Sequence, residues 1–328
     1  MVITSRFSAN RKLSFVLALS LLESDSACAN LVAIAAGSRS VSATKVRERE
    51  VVGIDLIGRI DALEVGGRSL AFWGLGQVGV VIKGPGGVIY VDPYLTDSDG
   101  EGGNLPRTFP PPLAPEEVTN ATAVLLTHVH IDHTDPDTVL PLSEASSEAR
   151  FVASFTSSDT LVEAGLDEDR ILVPEVGVPV EVAGARVTAL PSSHTELEHD
   201  PERGYPYLGY VIEWNDVTVY HAGDTVVYDG LIETLSAWDI DIAFVPINGR
   251  DYFRTERGIV GNADFRETAE LTETLDFGLI VPTHYDLIEG NTVDPGHFVS
   301  HLYGLNPMRP QKLLRPGELL YFVKDPDG

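Results

Sequence analysis

LLTHVHIDHTD, residues 125–135, closes an apolar run with three histidines and two aspartates in nine positions. The chain has nine histidines, so a third of them, His128, His130 and His133, fall within six residues, with Asp132 among them. Imidazole and carboxylate spaced this closely form a donor set for a divalent cation. A solvated surface tract would not follow directly on the strand-like run AVLLT, residues 123–127. Three more such runs end in the same chemistry: ARVTALPSS leads to His194, VTVYHAG to Asp224, and GLIVPT to His284. Strand ends are rigid points from which loops project side chains, so the four can converge. Alone, His194 or Asp224 reads as an ordinary turn residue; in this company each reads as a ligand. Seven candidates, with one carboxylate shared, suit two cations.

Composition narrows the chemistry. The single cysteine, Cys28, provides no intramolecular disulfide and no thiolate-rich site, so any metal is held by nitrogen and oxygen. Such donors suit zinc, manganese or iron(II). Two such cations a few ångströms apart can hold a water, lower its pKa towards neutrality and present hydroxide to a substrate. The net charge is −26, and residues 1–50 hold seven basic against four acidic residues, leaving 16 basic and 45 acidic groups in the body. So acidic a body repels phosphate backbones, which argues against a nucleic-acid partner. No apolar run reaches the length of a transmembrane span. A homo-oligomer stays open.

Residues 1–55 are set apart as an N-terminal extension. Arg6, Arg11 and Lys12 precede the apolar LSFVLALSLL, and ACA at 27–29 resembles a cleavage site. Two readings stand: an exported protein with a signal peptide, or a cytoplasmic one with an unstructured leader. Residues 56–328 form one catalytic domain of mixed strands and helices. LAFWGLGQVGVVIKG and GVIYVDPYL read as two strands joined at Gly84–Gly87, and SDTLVEAGL, DGLIETLSAW and DFRETAELTETL as helices. The proline-rich stretch 104–117 reads as a surface loop able to cover a site.

THVHIDH, SSH, HAGDT and PTH, in this order, resemble the metallo-β-lactamase superfamily of binuclear hydrolases over residues 57–325. That resemblance implies an α/β fold, the αβ/βα sandwich of two mixed sheets flanked by helices, with metals at one edge. It implies His128, His130 and His194 on a first ion, Asp132, His133 and His284 on a second, and Asp224 bridging them. Asp132 and Asp224 are then the candidate catalytic carboxylates, and the cofactors are two divalent ions, Zn2+ or Mn2+, with Fe2+ open. Asp92, in VDPYL, matches an early aspartate that orients a ligand histidine, and His221 beside the bridge reads as a supporting residue. FWGLGQVGVVIKGPGGVIYVDPYL and the stretch from PINGRDYFRTERG onward are most similar to the branch containing L-ascorbate-6-phosphate lactonase, a cytosolic, manganese-favouring enzyme. SSHTE departs from that lactonase.

Asn248, Arg250 and Arg254 follow the strand-like IAFVPI, where arginines are candidates to hold an anion or, equally, to pair with Asp251 or Glu256. Tyr285 and Asp286 are candidate proton donors; His199, His297 and His301 read as surface or packing residues. The expected function is hydrolysis of a small anionic ester or lactone. The alternatives are a phosphodiesterase of the same fold, including the type cleaving N-acyl phospholipids, and a non-catalytic metal-binding protein. β-Lactam hydrolysis and di-iron oxygen reduction rank below these.

Overall fold

In the computed structural model, which describes residues 55–97 and 106–325, the apolar runs become two mixed sheets. The first contains β1 (Ser69–Gly76), β2 (Gly79–Gly84), β3 (Gly87–Val91), β4 (Ala123–Leu126), β5 (Arg150–Ala153), β6 (Ile171–Leu172) and β13 (Leu319–Val323), in the order β13-β1-β2-β3-β4-β5-β6. The second contains β7 (Pro179–Val182), β8 (Ala185–Pro191), β9 (Leu208–Trp214), β10 (Val217–His221), β11 (Ile242–Pro246) and β12 (Leu279–Thr283), in the order β12-β11-β10-β9-β8-β7. Strands β3 to β6 and β10 to β12 run parallel to their neighbours, and the remaining pairs are antiparallel. The export and leader readings, with Cys28, fall outside the described residues.

Side-chain alternation along each strand feeds two cores at once. In β1, Leu70 and Phe72 face the second sheet, where Phe72 meets the Phe244 ring at 5.6 Å. Their neighbours Ala71 and Trp73 face outward under α1 (Leu56–Ala62), α2 (Pro136–Ala145) and α3 (Phe155–Ala164). The outer face of the second sheet is covered by α4 (Leu231–Leu235), α5 (Phe265–Leu275) and α6 (Pro295–Leu305) through Leu231, Leu271, Phe298 and Leu302. Four layers result, helices, sheet, sheet, helices. Because strands in such a stack are buried on both faces, they read as continuous apolar runs rather than alternating ones.

That continuity hides one turn. The run read as a single strand over LAFWGLGQVGVVIKG is two, β1 and β2, folded back at Gly76-Gln77-Val78-Gly79. Gly76 and Gln77 have φ of 94° and 56°, the left-handed region a tight hairpin requires. The turn at Gly84–Gly87 is the next hairpin, between β2 and β3. The described end of the proline-rich stretch braces the loop after β12: Arg107 bridges Ile288, and the Thr108 amide donates to Leu287 O at 2.8 Å.

Candidate metal centre

The carboxyl ends of β4, β8, β10 and β12 meet at one edge of the sandwich, and each delivers candidate ligands there. The loop after β4 is short because α2 begins at once: Asp135 caps it by accepting from the Asp137 amide, and Pro136 occupies the first turn. His128 to His133 are therefore pinned between a strand and a helix. After β10, Gly223 has φ 59°, and a Cβ there would lie 2.8 Å from Leu208 O and 2.9 Å from Thr127. Only glycine lets the chain pass this close, and it turns Asp224 inward.

Three groups of ligand-type atoms result: His128, His130 and His194; His128, His133 and Asp224; Asp132, His133 and His284. In the first, His130 Nδ1 is 3.0 Å from His128 Nε2 and 3.2 Å from His194 Nε2. Asp224 joins the ends, with Oδ1 3.3 Å from His133 Nε2 and Oδ2 3.4 Å from His194 Nε2 and 3.1 Å from His284 Nε2. Asp132 Oδ2 lies 3.7 Å from His133 Nε2 and 3.5 Å from His284 Nε2.

The donor set fits divalent ions, and two buried atoms bear on this. His133 Nε2 and Asp224 Oδ1 face each other without a hydrogen-bond partner, an arrangement that is costly unless an ion takes both lone pairs. The opposite ring nitrogen of His133 is accounted for. Asp92 Oδ2 lies 2.8 Å from His133 Nδ1 and also accepts from Thr127 Oγ1, while Asp92 Oδ1 accepts from the Thr127 amide. Nδ1–H is thereby committed to Asp92 and Nε2 is left for a metal. Among the described residues His221 makes no hydrogen bond to a candidate ligand; its Nε2 is 2.9 Å from Val78 O and its Nδ1 accepts from the Gly223 amide, so it ties two loops together.

Charge is divided across the cluster in the metal-free protein. Burial, with His133 and His130 beside it, holds His128 well below the usual imidazole value. Burial and His194 bring His130 down to about 4. At the other end burial is outweighed: Asp224 and Asp132 raise His284 to about 9, and Asp224, Asp132 and Asp92 raise His133. Against the same burial, His284 and His133 keep Asp224 well below the usual carboxylate range, and His133 and His284 do so for Asp132. One end thus offers neutral imidazoles, and the other holds protons that an ion would displace.

A cavity of about 420 Å³ opens over the cluster, lined by His130, Asp132, His194, Asp224 and His284 on its floor. Ile131, Ile259, Val260 and Ile288 form apolar wall, and Arg257, Gly258, Glu289 and Asn291 complete the lining. The residues expected around a substrate lie just behind it. Arg250 pairs with both oxygens of Glu267 at 2.7 Å. Arg254 holds Asp251 and donates to Asn291 Oδ1 at 3.0 Å, and Asn248 donates to the same oxygen at 3.1 Å. Tyr285 is buried in the helix-side core of the second sheet, and Asp286 accepts from the Gln77 amide at 3.2 Å. None of these five lines the cavity. Among the histidines read as packing residues, His199 and His297 lie against aromatic rings, Tyr205 and Phe265 respectively.

The sequence reading passed over three residues here. Thr127 links Asp92 to the rings of His128 and His133, at 3.1 and 3.2 Å from their Nδ1 atoms. The Tyr207 ring stands 5.3 Å from His128 and 5.5 Å from His194, walling the three-histidine end. Gln77 reaches Asp132 from the β1–β2 turn. Only Thr127, next to the motif, carried a positional signal.

Comparison with known proteins agrees with this architecture. Residues 88–285 match the β-lactamase superfamily domain. A UPF0173 metal-dependent hydrolase of Thermococcus onnurineus is 30% identical over 237 residues, covering 71% of this chain and 91% of that protein. One from Pyrobaculum arsenaticum is 27% identical over 248 residues, covering 75% and 96%. Among solved structures, an isothiocyanate hydrolase from Delia radicum gut bacteria superposes with a TM-score of 0.60 at 19% identity, covering 77% of this chain and 99% of that one. The chain belongs to the β-lactamase superfamily and is a metal-dependent hydrolase.

Proposed function

We propose a binuclear hydrolase acting on a compact anionic ester or lactone, of the kind that L-ascorbate-6-phosphate lactonase opens. The observation that carries this reading is the pair of ligand groups, one of three histidines and one of Asp132, His133 and His284, joined through Asp224 beneath a small cavity. His128, His130 and His194 at one end, Asp132, His133 and His284 at the other, and Asp224 between them would hold divalent ions, which when bound would provide a hydroxide nucleophile near neutral pH and polarise the oxygen under attack. The chain's own residues bind and orient. A volume of about 420 Å³ suits a small molecule. The isoleucine and valine wall excludes water from the apolar part of a substrate. Arg257 receives its anionic end: Nε donates to Phe253 O at 3.1 Å, which leaves both terminal nitrogens without a carboxylate partner among the described residues.

Arg257→Ala should raise KM for phosphorylated or carboxylated substrates about 10- to 100-fold, the worth of one charge-assisted hydrogen bond, and leave neutral substrates unchanged. Equal effects on both classes would remove the arginine from substrate binding. The substrate class is tested by loading metal-free protein with manganese or zinc, counting bound ions, and comparing L-ascorbate 6-phosphate with its unphosphorylated form, a phosphodiester and an isothiocyanate. Phosphate-dependent ring opening by two-ion protein supports the reading. Turnover of only the phosphodiester or the isothiocyanate would replace the substrate class, and one ion per chain would end the binuclear assignment.

A further inference from the structure

The turn between β1 and β2 costs backbone energy without an evident packing return. Tight hairpins at positive φ favour asparagine or glycine, yet Gln77 adopts φ 56° and is buried. A long polar side chain in a disfavoured conformation persists when its surroundings over-determine it. Here they do. The His284 amide donates to Gln77 O at 2.8 Å, the Gln77 amide donates to Asp286 Oδ1 at 3.2 Å, and His221 Nε2 holds Val78 O at 2.9 Å. All three contacts come from segments that carry candidate ligands. The fixed backbone aims one group at the cluster: Gln77 Nε2 lies 2.7 Å from Asp132 Oδ2 and 3.1 Å from His284 Nε2.

We propose that Gln77 is the positioning residue of the second ion site, the one formed by Asp132, His133 and His284; this rests on the binuclear reading above. Of the three ligands, Asp132 is the least enclosed: its side chain is 14% exposed, against 0% for His133 and 3% for His284. The Gln77 amide donates to the Asp132 oxygen that faces both histidines. That bond ties the Asp132 carboxylate to the β1–β2 turn and would leave the oxygen a lone pair for an ion held with His133 and His284. Gln77 touches the site only through Asp132 and His284, so it acts on ion affinity and not on the substrate.

The test is calorimetric titration of zinc into metal-free protein, with elemental analysis of the loaded product. Gln77→Asn suits the left-handed backbone at least as well as glutamine but is one methylene too short to reach Asp132. Gln77→Met keeps the length and lacks the donor. Both should bind the first ion within twofold of the native protein and the second about 10- to 100-fold more weakly, the usual effect of removing a ligand's supporting hydrogen bond. Unchanged affinity at both positions overturns the proposal, as does an equal loss at both, which would mark a merely structural turn. If the native protein takes up one ion only, the binuclear reading fails by itself. The Gln77 assignment is then decided by whether the variants weaken that ion at least tenfold or leave it unchanged.

Discussion

Asp224→Ala should strip the protein of two-ion binding and lower its hydrolase rate about 10²- to 10⁴-fold. Asp224 is buried and has three imidazole nitrogens within 3.4 Å, from His133, His194 and His284. No other residue of the cluster contacts histidines of both the first and the last ligand group through different oxygens. Its removal leaves the two raised imidazoles, His133 and His284, facing an empty volume, with Asp132 left to balance both and Asp92 behind His133. Breaking a buried charge pair from one side costs about 3–5 kcal/mol, and the same loss from transition-state stabilisation is the rate factor given above. Three readouts separate the causes: bound ions per chain, kcat/KM, and the melting temperature of the metal-free variant. Asp224→Asn keeps the volume and one acceptor, so it should melt closer to the native protein while still failing to hold both ions. A variant that carries two ions and keeps the native rate would sink the bridging role.

The histidine loop was legible because its residues are adjacent and follow a strand, and His194, Asp224 and His284 because each stands at the end of an apolar run. The same runs imply an α/β chain of mixed sheets, and the two-sheet sandwich is what the resemblance carried by the four motifs implies. What stayed hidden depends on contacts remote in sequence. The β1–β2 turn is flanked by glycines inside an apolar run, without the Asn-Gly or Asp-Gly signature, and both faces of these strands are buried, so no break in alternation marks it. Arg250, Arg254 and Arg257 are indistinguishable as sequence. Glu267, 17 residues away, claims the first, and Asp251 with Asn291, 37 residues from Arg254, claims the second. The third is left to line the cavity. Gln77 shows no sign of its contact with Asp132, 55 residues on, because only the β2-β3-β4 pairing within the first sheet brings the β1–β2 turn beside the loop after β4.

The metal-free protein should be most heat-stable near pH 6.5, and loading with divalent ions should abolish the fall on the alkaline side. Two sets of histidines pull in opposite directions. Burial, with neighbouring imidazoles, lowers His128 and brings His130 to about 4. Groups lowered in this way contribute stability that is present above the unfolded value of about 6.5 and lost as pH falls towards the folded one. His284 behaves in the reverse sense. Burial opposes its proton, but Asp224 and Asp132 raise it to about 9, so its contribution is complete below about 6.5 and lost as pH rises through about 9. His133, raised by the same carboxylates and Asp92, adds to that alkaline loss. For His130 on the acid flank and His284 on the alkaline one, the shift is worth on the order of 3 kcal/mol each. Asp224 and Asp132, held low by His284 and His133 against their burial, steepen the acid flank only below about pH 4. An ion on His284 and His133 takes the place of their protons, so the alkaline flank disappears and uptake near pH 7 releases protons. Melting temperatures from pH 5 to about 9.5, with and without zinc, and proton release in two buffers of different ionisation enthalpy, measure both consequences. An alkaline fall of the same size with ions bound would mean that the ions leave His284 and His133 untouched, and the second ion position would have to be sought elsewhere in the cavity.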